Sequence, residues 1–142
     1  MTLAAGVDWE MRMALPASLQ AVEEFFLELR QRSRQGMDQE NCFAAELLVR
    51  EALTNAVVHG CGADGRRQVR CVLRLKRGRL LVVVEDDGKG FNWHMARRHQ
   101  ASLPDCSGRG MEILDRYANR VRYSDRGNAV MIIKRFNSRK TP

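Results

Sequence analysis

Several common features are missing from this chain, and each absence excludes something. The longest purely aliphatic run is Leu80 to Val84, far short of the roughly 20 residues a helix needs to cross a bilayer. The opening "MTLAAGVDWEMRM" has no basic start followed by an apolar stretch, so it does not read as a secretion signal. Cys42, Cys61, Cys71 and Cys106 form no C-x-x-C pair, and a reducing compartment suits them best. These absences predict a cytoplasmic protein with no membrane association. A zinc site from His94, His99 and Cys106 matches none of the usual ligand spacings, and ordinary polar loop residues are the better reading there.

Aromatic residues are scarce, at 6%. Lys plus Arg number 24 against 17 Asp plus Glu, a net charge of +7. Such a balance favours acidic partners, nucleic acid or an acidic protein face among them. The clusters are short (Arg66-Arg67, Lys76-Arg77-Arg79, Arg97-Arg98), and few aromatics are interleaved to stack bases. Most of these cations are expected to be solvated surface, with no specific nucleic-acid partner. Familiar phosphate motifs are also lacking: there is no G-x-x-x-x-G-K-[ST], and no glycine pair extends to G-x-G-x-x-G.

What remains is an ordinary globular composition, 142 residues with 44% hydrophobic content, which suits one domain with one core. The expectation is a single domain over 1–142, its core at about 10–136, with no repeats. "EMRMALPA" (10–17) alternates and stops at Pro16 like an edge strand. Ser18 is placed to cap a helix over about 19–34 whose inner face is Val22, Phe25, Phe26 and Leu29. Asp38 is placed to cap a second, long helix reaching His59. "VRCVLRL" (69–75) alternates with Val69, Cys71, Leu73 and Leu75 on one side, and "KRGR" closes a hairpin onto "LLVVVED" (80–86). Residues 91–107 read as a long loop of the kind that often serves as a lid. A helix over about 110–118 and two strands around the turn "DRGN" follow. This order predicts an α+β fold, a two-layer sandwich.

The long second helix carries a puzzle. Its run from Phe43 to Val58 is apolar enough for a buried core helix, yet Glu51, Asn55 and His59 interrupt it at intervals of four. Residues i, i+4 and i+8 of an α-helix share a face. A second stripe, Glu46, Arg50 and Thr54, lies about 100° away and can simply face water. Exposure alone would explain the first stripe as well. Two glycine motifs weigh against that. "EDDGKGF" (85–91) holds D-x-G-x-G from Asp86 through Gly88 to Gly90, a tight turn directly after an apolar strand, where glycine lets backbone approach a ligand. A carboxylate at such a strand end can accept a hydrogen bond from an exocyclic amine such as that of adenine. "SGRGMEI" (107–113) leads glycines into a helix, whose first N–H groups and dipole suit a phosphate.

In this order, E-x-x-x-N-A-x-x-H-G, D-x-G-x-G-F and G-x-G resemble the N box and two glycine boxes of the GHKL ATPase superfamily. Within it the chain is similar to small bacterial anti-sigma-factor serine/threonine kinases, through "LPASLQAVEEFF", "ELLVREALTNAVVHG" and "GRGMEILDRYANRV". The resemblance covers about 10–136. It implies a Bergerat-type ATP-binding fold, a mixed and mainly antiparallel sheet with helices on one face.

It also implies roles: Asn55 on Mg²⁺, Glu51 as the base for the attacking hydroxyl, and Asp86 on the adenine amino group. Gly88 and Gly90 would shape the adenine pocket, Gly108, Arg109 and Gly110 would wrap the phosphates, and Asn128 would stand near the adenine end. The chain has Cys61 where the family often has Asn, and Gly127-Asn128 in place of a late Gly-Thr. The implied cofactors are ATP and Mg²⁺. The implied partners are a sigma factor and a STAS-domain anti-anti-sigma protein, and a homodimer is left open. The alternatives are a nucleotide-binding switch without transfer and a detached histidine-kinase-type ATPase domain.

Overall fold

Ser18 and Asp38 start the two helices as side-chain caps. In the computed structural model, which describes residues 8–34, 37–88, 113–114 and 116–136, the Ser18 hydroxyl accepts the Ala21 N–H at 3.1 Å. The Asp38 carboxylate accepts the Asn41 N–H at 2.8 Å. Each bond satisfies one of the amide donors that a helix start leaves without a partner. Helix α1 runs Leu19–Ser33 and α2 runs Gln39–Asn55. Strands β1 (Trp9–Pro16), β2 (Gln68–Lys76), β3 (Arg79–Asp86), β4 (Arg120–Tyr123) and β5 (Ala129–Arg135) form one sheet in the order β1-β2-β3-β5-β4. Every pairing among them is antiparallel. The fold is the expected α+β arrangement, and the described part of the sheet has no parallel pair.

The core lies between the helices and one face of the sheet. Val69, Cys71, Leu73 and Leu75 of β2 point into it with Leu80, Val82 and Val84 of β3, as the period-two pattern requires. Val22, Phe25, Phe26 and Leu29 of α1 meet them from above. The rings of Phe25 and Phe26 pack edge to face, with centroids 5.7 Å apart. Burial pushes the Cys71 thiol up to about 12, so it acts as a small apolar filler.

Three expectations change in detail. Helix α2 does not stay α-helical to His59. It widens into a π turn over Ala56–Gly60, marked by the Cys61 N–H donating to the Ala56 carbonyl at 2.9 Å. Phe43, expected inside, is 60% exposed, and Val58 is exposed as well. The second stripe does not simply face water. Arg30 of α1 bonds Glu46, and Arg50 pairs with Glu23 while its guanidinium stands 4.2 Å above the Phe26 ring. These polar residues clasp α1 to α2 along a seam that sequence spacing alone assigned to solvent.

Candidate functional site

A cleft opens where the C-terminal end of α2 meets the ends of β3 and β5. Ala52, Asn55 and Ala56 line it from the helix, Val84 and Asp86 from β3. Leu114, Tyr123 and the segment Gly127 to Val130 complete it. It is a small recess, about 270 Å³ counting the open space at its mouth. Its mostly apolar walls with a few polar groups are the usual lining of a small-molecule site.

Asp86 and Asp87 adjoin in sequence and differ in environment. Asp86 continues the inward side of β3 and is only 4% exposed. Its Oδ1 accepts the Gly88 N–H at 2.8 Å, and its own N–H donates to the Asn128 carbonyl at 2.8 Å. Burial pushes its carboxyl above the ordinary aspartate range, against the pull of the Gly88 N–H. Asp87 points outward, where Arg70 donates to its carboxylate at 2.9 Å and the Gln68 N–H at 3.2 Å. Those bonds hold Asp87 below the ordinary range. Of the two, Asp86 presents its carboxylate to the cleft.

Glycine is required at two places beside it. A Cβ at position 60 would lie 2.4 Å from Asp86 Oδ2, and one at position 88 would lie 1.6 Å from the Gly60 carbonyl oxygen. The π turn therefore ends in backbone-to-backbone contact with the D-x-G turn. Wide turns of this kind recur at functional sites. Here it seats Gly60 against the strand end that carries Asp86.

Glu51 sits one turn before Asn55 on α2. It is half-buried, and burial raises its carboxyl above the usual range while the Arg50 charge opposes this. Asn55 lines the cleft; Glu51 flanks it. His59 falls on the π turn and is exposed, so the widened turn ends the stripe that α-helical spacing would continue. Asn128 lines the same cleft as Asp86, and its side-chain oxygen accepts from the Ser124 hydroxyl at 3.0 Å. Gly90, Gly108, Arg109 and Gly110, like His94, His99 and Cys106, lie outside the described residues.

Among the described residues no group of three or more His, Cys, Asp or Glu stands ready to hold a metal. The Asn55 amide oxygen is nevertheless a hard donor in the cleft wall. Mg²⁺ takes few protein ligands and completes its shell with phosphates and water, so this donor set fits Mg²⁺ arriving with a nucleotide.

Reasoning from sequence missed several walls of the cleft: Ala52 and Ala56, Leu114, Tyr123 and Val130. Ala52 and Ala56 flank Asn55 in a helix otherwise rich in larger apolar residues, and that drop in size was the available signal. Among the described residues no helix is long and apolar enough to cross a membrane.

No curated protein matches this chain. The family model described as the histidine kinase-like ATPase domain matches residues 13–134. With most of the sequence, the cleft and both Asp86 and Asn55 inside that match, the chain belongs to the histidine kinase-like ATPases of the GHKL superfamily.

Proposed function

We propose that the protein is an anti-sigma factor and a serine/threonine protein kinase. In this reading it sequesters a sigma factor in the cytoplasm and phosphorylates a STAS-domain anti-anti-sigma antagonist from Mg-ATP. The observation that carries the kinase reading is the half-buried Glu51, one turn from cleft-lining Asn55. A protein that only binds nucleotide has no use for a carboxylate there. The sequence resemblance in the opening, helix and closing segments supports the choice of partners.

Asp86 accepts the adenine amino group, and Gly60 and Gly88 keep backbone close beneath it. Asn55 orients the phosphate end through its amide oxygen. Bound Mg²⁺ would neutralise charge on the phosphates during transfer. Glu51 takes the proton of the serine or threonine hydroxyl as that oxygen bonds the γ-phosphorus, and the bond to the β–γ bridging oxygen breaks to release ADP. Its raised proton affinity suits a base working near neutral pH.

Incubation with labelled Mg-ATP and candidate STAS-domain proteins tests this. Acid-stable phosphate on a serine or threonine of the antagonist is the expected result. ATP binding with no transfer to any candidate would leave the passive switch, and acid-labile phosphate on histidine would leave the histidine-kinase reading.

A further inference from the structure

The second face of the sheet, away from α1 and α2, has an order that emerges only from strand register. One row across it reads Arg12–Val72–Val83–Met131–Arg122. The next reads Glu10–Arg74–Leu81–Ile133–Arg120. A third reads Lys76–Arg79–Arg135. The apolar residues at the centre are half-buried, and the cations at the margins are exposed. The face is an apolar stripe inside a basic frame.

The frame is only partly neutralised from within. Glu10 is shared by Arg12 and Arg74, and Glu85 and Asp87 are both taken by Arg70. Among the described residues no acid forms an ion pair with Lys76, Arg79, Arg120, Arg122 or Arg135. Arg79 stands directly opposite Arg135 on one side and Lys76 on the other. Like charges in directly opposed sheet positions destabilise the pair, so the fold alone gains nothing from this row. A concavity of about 770 Å³ lies over it, with Leu81, Ile133 and Phe136 beside the cations.

We propose that this face docks an acidic protein surface, one whose apolar centre is ringed by carboxylates. Charge complementarity decides the occupant. A second copy of the chain would set the basic frame against itself, which costs several kcal/mol at a protein interface. Nucleic acid would satisfy the frame, but Phe136 is the single aromatic residue lining the concavity, and single-strand binding grooves stack successive bases on several. An apolar stripe within a polar rim is the usual anatomy of a protein interface. The inference is independent of the kinase reading, because the face lies across the sheet from the α2 side of the cleft.

The test uses the full chain and a fluorescein-labelled peptide of alternating Glu and Leu, followed by anisotropy near physiological salt. A polyglutamate peptide and a single-stranded oligonucleotide of equal charge serve as comparators. The Glu-Leu peptide is expected to bind the wild type and to outcompete both comparators. Arg79→Glu/Arg135→Glu should weaken it by about tenfold or more, and Val83→Ser should weaken it with no change in salt dependence. ATP affinity and the unfolding midpoint of Arg79→Glu/Arg135→Glu should stay near wild type. Equal peptide binding by wild type and both variants would overturn the proposal. So would an oligonucleotide that binds as tightly, or a sedimenting dimer that either variant dissociates.

Discussion

The carbonyl oxygen of Gly60 occupies the space a side chain on residue 88 would need, 1.6 Å from where its Cβ would stand. Two glycines about thirty positions apart in sequence thus meet at the strand end that carries Asp86, and the position of that carboxylate depends on the contact.

Substitution there should be costly. Gly88→Ala cannot be absorbed by a flexible side chain, because the clash is with backbone. Overpacking of this kind costs about 1–3 kcal/mol. Displacement of Asp86 should remove nucleotide binding beyond what the stability loss explains. Gly65→Ala is the control, since a Cβ there meets nothing within 4 Å. Denaturant midpoints and ATP titrations of the two variants check this expectation.

Asp86→Asn should weaken ATP binding more than tenfold. The amide would turn a donor toward the adenine amine, and a lost charged hydrogen bond costs about 1.5–3 kcal/mol. Asp87→Asn should leave ATP affinity nearly unchanged, because Asp87 faces Arg70 on the outer side of the sheet. Calorimetric titration of both variants separates these adjacent carboxylates. Equal losses would remove Asp86 from its assigned role.

The same aspartate should mark the pH dependence of stability. Burial raises the folded pKa of Asp86 above its ordinary value of 3.8. The native state therefore binds its proton more tightly than the unfolded chain does. Stability from this group is full below the unfolded pKa and is lost as pH rises through the folded one. Free of nucleotide, Asp86→Asn should be more stable than wild type at neutral pH. That advantage should shrink as pH falls toward 4, as unfolding midpoints taken across the range will show.

Glu51→Ala and Asn55→Ala should separate chemistry from binding. Loss of a general base costs typically about 10²–10⁴-fold in rate. Glu51→Ala should therefore nearly abolish phosphate transfer to the antagonist while ATP affinity holds, because Glu51 flanks the cleft without lining it. Asn55→Ala should impair both. Phosphate incorporation measured beside ATP affinity distinguishes the two patterns, and normal transfer by Glu51→Ala would remove the base from the mechanism.

Much of this protein is readable before any coordinates. The alternation of Val69, Cys71, Leu73 and Leu75 places β2 with the right face inward, and Ser18 and Asp38 announce both helices. Such features are local, because strand period and capping chemistry act within a few residues. The choice of Asp86, Asn55 and Glu51 came from the order of three short motifs, and the fold brings Asp86 and Asn55 to one cleft.

Other features were decided by tertiary structure because they join distant segments. The clasp of Arg50 to Glu23 and Phe26 needs α1 beside α2. The π turn at Ala56–Gly60 ends where Gly60 meets Gly88, a contact no helical periodicity encodes. The basic frame on the outer sheet face combines β1, β2, β3, β5 and β4, strands whose order differs from their sequence. Composition revealed an excess of positive charge, but strand register alone decided which cations stand side by side, because pairing fixes neighbours that sequence separation leaves free.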